Sequence, residues 1–155
     1  MLKIRPLQRE DYTSVIKMLN QGRLEGFFAP GPEITPESFN EYATSRCYEN
    51  YTMVVADLDG RVSGFLDYYT FGGVGNILGI FVVPERRNEH IGTNLVETST
   101  NAFLKLGCHM VRATVYAYNK TALEFLKANG FRKRALFRND EFHRDLVYMH
   151  RVLCP

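Results

Sequence analysis

The chain has three cysteines, no apolar run longer than seven residues and a formal charge of only +2. Each of these scarcities excludes something. Cys47, Cys108 and Cys154 are odd in number, far apart and never in a Cys-x-x-Cys pair. A disulfide framework or a zinc site is therefore not expected, and the thiols read as buried or edge groups in a reducing compartment. His90, His109, His143 and His150 show no His-Glu-x-x-His or comparable ligand spacing, so no metal is expected. Cys108 and His109 are adjacent, and neighbours on a strand point to opposite faces, so they do not form a nucleophile and base. Nineteen Lys and Arg against seventeen Asp and Glu are too balanced for a nucleic-acid or membrane-surface partner. The longest apolar run, Ile77 to Val83 counting Gly79, is far too short for a membrane span. The opening Met1 to Pro6 lacks the apolar core of a signal peptide, so the cytoplasm is the expected location. No repeat, low-complexity tract or linker stands out.

What remains is an ordinary globular composition over 155 residues, 45% hydrophobic and 23% charged. That length fits a single domain, residues 1–155. Leu2 to Arg5 predicts a short strand. Tyr12, Val15, Ile16 and Leu19 form the apolar stripe of a helix over Asp11 to Asn20. Gly22 to Pro36, rich in Gly and Pro around Phe27 and Phe28, reads as a loop. Thr35-Pro36-Glu37 starts a helix that continues through Phe39, Tyr42, Ala43 and Cys47. Tyr51 to Ala56 and Arg61 to Tyr69 predict a hairpin about Asp59-Gly60. Phe71-Gly72-Gly73 turns the chain into Val74 to Val83, which is apolar on both faces in its second half and so central. A helix follows, with Leu95, Val96, Ser99, Ala102, Phe103 and Leu106 inward and Gly107 as its stop. Met110 to Tyr118 is a strand, Lys120 to Ala128 a helix capped by Asn119, and Phe131 to Phe137 and Asp145 to Val152 are closing strands. The order β-α-α-β-β-β-α-β-α-β-β defines a mixed α+β layer architecture.

The informative junction is Glu85 to Thr93, between the central strand and the helix beginning near Gly92. Four free N–H groups and the positive end of a helix dipole make an anion site, and Arg86 and Arg87 add charge. A pyrophosphate suits it. Pro84 ends the strand, which predicts an open backbone at Ile80 to Val83. Asn119 ends the next strand and reads either as a plain helix cap or as a group on the rim of the same cleft.

The stretch Ile80-x-Val82-x-Pro84-x-x-Arg87-x-x-His90-x-Gly92-x-x-Leu95 resembles motif A of the GNAT superfamily of N-acetyltransferases. Asn119-x-x-Ala122-x-x-Phe125-Leu126-x-x-x-Gly130-Phe131 resembles its motif B. Ile4-Arg5-Pro6-Leu7 and Asp145 to Met149 resemble the family's ends, so the resemblance runs in order over nearly the whole chain. It implies the acyl-CoA N-acyltransferase fold, a mostly antiparallel central sheet with helices on both faces. It implies acetyl-CoA as co-substrate and direct attack of a small-molecule or peptide amine on the thioester. The backbone of Ile80, Phe81 and Val82 would hold the pantetheine. Arg87, Asn88, Glu89, His90, Ile91, Gly92 and Thr93 would hold the pyrophosphate, and Asn119 would contact the CoA arm. A homodimer is implied only by analogy.

Two positions depart from the family pattern. His90 stands where the first glycine is usual, and it fits if its φ is negative or the cost of a positive φ is absorbed. Leu126 stands where many members carry the tyrosine that protonates the leaving thiolate. Tyr116 or Tyr118 would have to substitute. Thr114 shares their strand face. Glu25, Glu33 and Asp67 are candidates for a base, and a water chain with no dedicated base is the alternative. Phe27, Phe28, Tyr68, Tyr69 and Phe71 either line an acceptor pocket or pack the first loop. A non-catalytic acyl-CoA-binding sensor or assembly subunit of the same fold is the alternative reading. A dinucleotide-binding oxidoreductase is rejected, because Gly73, Gly75 and Gly79 do not bridge a strand to a helix.

Overall fold

The computed structural model describes residues 1–44 and 50–153; Cys47 and Cys154 lie outside the described residues. The elements are β1 (Leu2–Pro6), α1 (Tyr12–Leu24), α2 (Pro36–Ala43), β2 (Thr52–Leu58), β3 (Arg61–Phe71), β4 (Val74–Val82), α3 (Ile91–Lys105), β5 (Met110–Tyr116), α4 (Lys120–Ala128), β6 (Arg132–Phe137) and β7 (Leu146–Val152). This is the order the sequence predicts. The strands form one seven-stranded sheet in the order β1-β2-β3-β4-β5-β7-β6. All its pairs are antiparallel except β4 with β5.

Local chemistry sets the boundaries. Asp59 and Gly60 both have positive φ, 53° and 85°, as a two-residue hairpin turn requires. Thr35 caps α2 by accepting from the Ser38 N–H at 3.2 Å. Helix α1 runs a turn beyond the expected Asn20, straight through Gly22. Gly22 is buried, and a side chain there would collide with the Phe28 ring. Its role is close packing rather than helix breaking. Leu106 is exposed, not inward as expected. The helix has ended at Lys105, and the chain is turning into Gly107 at φ 78°.

Helices cover both faces of the sheet. On one face Leu95, Val96 and Phe103 of α3 and Leu126 of α4 pack on Val54, Leu66 and Ile77. On the other, Val15 and Met18 of α1 and Phe39 of α2 pack on Val55, Phe65 and Phe81. Among the described residues no helix is long and apolar enough to cross a membrane.

One irregularity in β4 stands where the sheet parts. Its register with β3 slips between the pairs Asp67↔Gly79 and Tyr68↔Ile77. Leu78 is therefore a bulge residue, and Ile77, Ile80 and Val82 all reach the α3 face. A bulge also bends its strand. In agreement, β4 pairs with β5 only from Val74↔Met110 to Ile77↔Ala113. Beyond that point β4 stays with β3 as far as Val82↔Gly64, while β5 stays with β7 as far as Tyr116↔Leu146. The two halves of the sheet diverge. Pro84 is not the cause of the open edge, since the strands have already parted seven positions before it.

The first half of the sheet is tied to α1 by a charged cluster. Arg5 on β1 donates to both oxygens of buried Asp11, at 2.7 and 3.0 Å, and to Asp57 on β2 at 3.0 Å. Burial pushes the Asp11 carboxyl up. The hydrogen bonds from Arg5 and the Gln8 N–H outweigh it and hold Asp11 below its ordinary 3.8. A lowered carboxyl stabilises the fold above its unfolded pKa and loses that contribution as pH falls. Arg5→Met is expected to cost about 2 kcal/mol in chemical denaturation at neutral pH. The difference from the parent should shrink when the measurement is repeated below about pH 4.

Candidate active site

The divergence of β4 and β5 opens a cavity of about 680 Å³. Its walls are the unpaired edge of β4, Thr114 and Val115 of β5, the turn before α3, the first two turns of α4, and Phe27 and Phe28 from the α1–α2 loop.

Ten of the eleven expected cofactor residues line it: Ile80, Phe81, Val82, Arg87, Asn88, His90, Ile91, Gly92, Thr93 and Asn119. Glu89 does not. Its carboxylate turns outward to Arg86 at 3.4 Å, and it borders a separate surface depression with Leu2 and Arg61. Sequence reasoning did not single out Leu78, Gly79 or Phe125 as lining residues, although all three border the cavity. Leu78 and Gly79 carry no chemical signal beyond an apolar run. Phe125 is in the second motif, where nothing in the sequence marks it as a cavity residue.

The turn into α3 has the features of an anion site. His90, at the N-cap, makes no side-chain hydrogen bond to the first turn, whose leading N–H groups have no partner within the helix. A Cβ on Gly92 would come within 3.0 Å of the Phe125 ring. Gly92 thus lets α4 close on α3 as well as keeping the turn open. His90 has φ 61° and ψ 14°, the left-handed conformation. It occupies the geometry glycine would take and carries a cost on the order of 1 kcal/mol. Its carbonyl anchors the turn by accepting from the Asn94 N–H at 3.0 Å and from Asn94 Nδ2 at 2.8 Å.

Arg87 lies across the end of β4. Its Nε donates to the Val82 carbonyl at 2.9 Å, and its guanidinium stands 5.2 Å over the Phe81 ring. Its far nitrogen is 3.9 Å from Glu25. Asn119 takes both roles considered for it. Its Oδ1 caps α4 at the Ala122 N–H, 3.2 Å away, and the residue borders the cavity. The cap uses the oxygen and leaves the NH₂ for a ligand.

The expected substitutes for the missing acid sit elsewhere. Neither Tyr116 nor Tyr118 lines the cavity. Their rings stack 5.7 Å apart, and Arg144 lies 4.7 Å over Tyr116. Burial pushes the Tyr116 hydroxyl up, against the opposing pull of Arg144. The Tyr118 hydroxyl donates to the Gly26 carbonyl, and Arg144 donates to Phe28 O at 3.4 Å. Both tyrosines thus stand at the anchorage of the α1–α2 loop, outside the cavity wall. Leu126 is buried on the cavity floor and brings no hydroxyl.

Of the base candidates, Glu33 is exposed and Glu25 faces Arg87. Asp67 is buried on β3. Its Oδ2 accepts from Tyr42 at 2.6 Å and from Tyr51 at 2.9 Å. Desolvation pushes its carboxyl up to about 6, although the two hydroxyls and the Gly79 N–H pull the other way. Of the five aromatics considered for an acceptor pocket, only Phe27 and Phe28 line the cavity. Tyr68 packs edge-on against Phe103 at 4.6 Å on the opposite face, and Phe71 is exposed.

An unpaired strand edge leading to an uncapped helix start is an arrangement able to take an extended amide chain that ends in an anionic group. The family model described as the acetyltransferase (GNAT) family matches residues 14–131. An uncharacterized N-acetyltransferase of Methanocaldococcus jannaschii is 32% identical over 111 residues, covering 67% of this chain and 71% of that one. The chain belongs to the GNAT acetyltransferase family. Its fold is that of the ribosomal-protein-alanine N-acetyltransferase from Brucella melitensis, with a TM-score of 0.86 at 17% identity over 97% and 99% of the two chains. It also matches a Salmonella typhimurium acetyltransferase solved with acetyl-CoA, with a TM-score of 0.84 at 17% identity over 98% and 94%.

The left-handed His90 yields a test. His90→Gly should leave stability within about 1 kcal/mol of the parent, because relief of the strain is offset by the greater freedom of glycine when unfolded. His90→Val, β-branched, should cost about 2 kcal/mol. Thermal unfolding of the two variants checks both.

Proposed function

We infer that the protein transfers the acetyl group of acetyl-CoA to a primary amine by direct attack on the thioester. The observation that carries this reading is the continuity of the unpaired β4 edge with the uncapped start of α3. Acetyl-CoA supplies an activated acetyl thioester when bound. The chain's part is to bind and orient. The backbone from Ile80 to Val82 offers N–H and C=O groups to an extended amide chain, as it would to an added strand. The N–H groups of Ile91, Gly92 and Thr93, with Arg87 beside them, hold the pyrophosphate. Asn88 and His90 shape that turn, and Glu89 contributes its place in the backbone rather than its side chain. Asn119 presents its NH₂ to the CoA arm. An unpaired β4 amide near Val82 is the donor for charge developing on the carbonyl oxygen, a role that needs no side chain. The amine approaches from the side of Phe27 and Phe28. The free buried thiol of Cys108 suits the reducing cytoplasm.

Leu126 favours one competing reading, a domain that binds acyl-CoA without turning it over. Two measurements separate them. Calorimetric titration with acetyl-CoA in phosphate-free buffer should show binding that weakens about tenfold in Arg87→Ala, the loss of roughly one charge-assisted contact. Release of free thiol from acetyl-CoA in the presence of a panel of primary amines supports transfer. Binding without any thiol release supports the non-catalytic reading.

A further inference from the structure

Asp67 is a carboxylate in the middle of a central strand, with 3% of its surface exposed. Burying a charge there is costly, and among the described residues no cation stands within ion-pair distance of it. The groups that face it are the Tyr42 hydroxyl from α2, the Tyr51 hydroxyl from the segment before β2 and the Gly79 N–H from β4. The Phe28 and Phe65 rings border the same spot beside Gly79 that Asp67 Oδ1 borders.

Its position relative to the cavity is set by the bulge. Asp67 is the β3 partner of Gly79, the residue just after the slip. A Cβ on Gly79 would lie 3.0 Å from Asp67 Oδ1 and 3.5 Å from the Phe28 ring. Gly79 and Phe28 both line the cavity. The side chain that Gly79 lacks thus leaves a slot between the cavity and one carboxylate oxygen. The other oxygen is held by two hydroxyls, one of them on Tyr42, a half-exposed residue.

We propose that Asp67 receives the ammonium group of the acceptor through the slot beside Gly79 and takes its proton. This rests on the acetyltransferase reading above and names a catalytic residue for it. One N–H bond of the ammonium breaks, and its proton passes to Asp67 and on to solvent by way of Tyr42. The freed lone pair forms the C–N bond as the C–S bond breaks, and a second nitrogen proton ends on the sulfur. The products are the amide, CoA thiol and one released proton, so no tyrosine is needed at Leu126. The slot is narrow and walled by Phe28. It selects primary amines on an unbranched carbon with an apolar group behind.

The probe is 2-phenylethylamine. Acetyl-CoA binding is measured first, by calorimetry, in the parent, Asp67→Asn and Tyr42→Phe. The isosteric Asn still accepts from both tyrosines, and acetyl-CoA affinity should be unchanged. For the parent, kcat/KM for 2-phenylethylamine should fall on the acid side with an apparent pKa near 6. Asp67→Asn should lose about 100-fold or more of that rate, and the acid limb with it. Tyr42→Phe should shift the limb to higher pH, since it removes a donor that favours the carboxylate. A purely structural Asp67 would leave the limb in place. Parental rate and pH profile in Asp67→Asn overturn the proposal. So does a parent that binds acetyl-CoA but neither binds nor acetylates 2-phenylethylamine at tens of millimolar. A parent that fails to bind acetyl-CoA overturns the acetyltransferase reading itself, and the proposal with it.

Discussion

The site exists because two parallel strands stop pairing. β4 and β5 share four residue pairs and then separate, each still held by its outer neighbour. Unpaired backbone N–H and C=O groups inside a sheet are costly unless something satisfies them. Most sheets avoid the situation by closing or covering the edge. Here the edge faces a cavity, so the groups a fold would normally satisfy for itself are left open to it. The separation begins at the bulge at Leu78.

Polar ties from the α1–α2 loop cross the gap. Glu25 meets Arg87, which is fixed to the end of β4. Gly26 and Phe28 are held through their carbonyls by Tyr118 and Arg144, from the β5–β7 half. One loop therefore touches both diverging halves on the side where Phe27 and Phe28 meet the cavity. Arg87 stands between the start of α3 and this loop, so the pyrophosphate site proposed above and the loop share one guanidinium.

Most of the fold was legible because its signals are local. Thr35, Asn119, Gly107 and Asp59-Gly60 act within three or four residues, and the apolar periodicities of α1, α3 and the hairpin are regular. The turn into α3 was legible for the same reason, since a helix start with flanking Arg residues is a local object. What escaped depends on distant partners. The run Ile77 to Val83 is apolar throughout, so nothing in it marks where the register slips. Tyr116 and Tyr118 do share a face, as alternation requires, but alternation does not say which elements that face will meet. Asp67 could be named as a carboxylate among apolar neighbours. Its setting comes from Tyr42 and Tyr51, 25 and 16 residues away. Gly22 misled because a glycine needed for close packing looks the same as one that ends a helix.

The extra residue in β4 also limits how this sequence can drift. Side chains alternate along a strand, and a bulge residue stands outside that alternation. Losing a single residue near Leu78 would remove the bulge and leave the faces as they are: Tyr68↔Ile77 and Asp67↔Gly79 would become consecutive pairs, with Ile80 and Val82 still toward α3 and Phe81 still toward α1. Both layers of the core would survive, and the bend that parts β4 from β5 would be lost. A deletion in this segment is therefore tolerated by the fold and not by the cleft. Relatives that keep the cleft should vary freely in the lengths of the outer loops while holding the count across the central strand fixed.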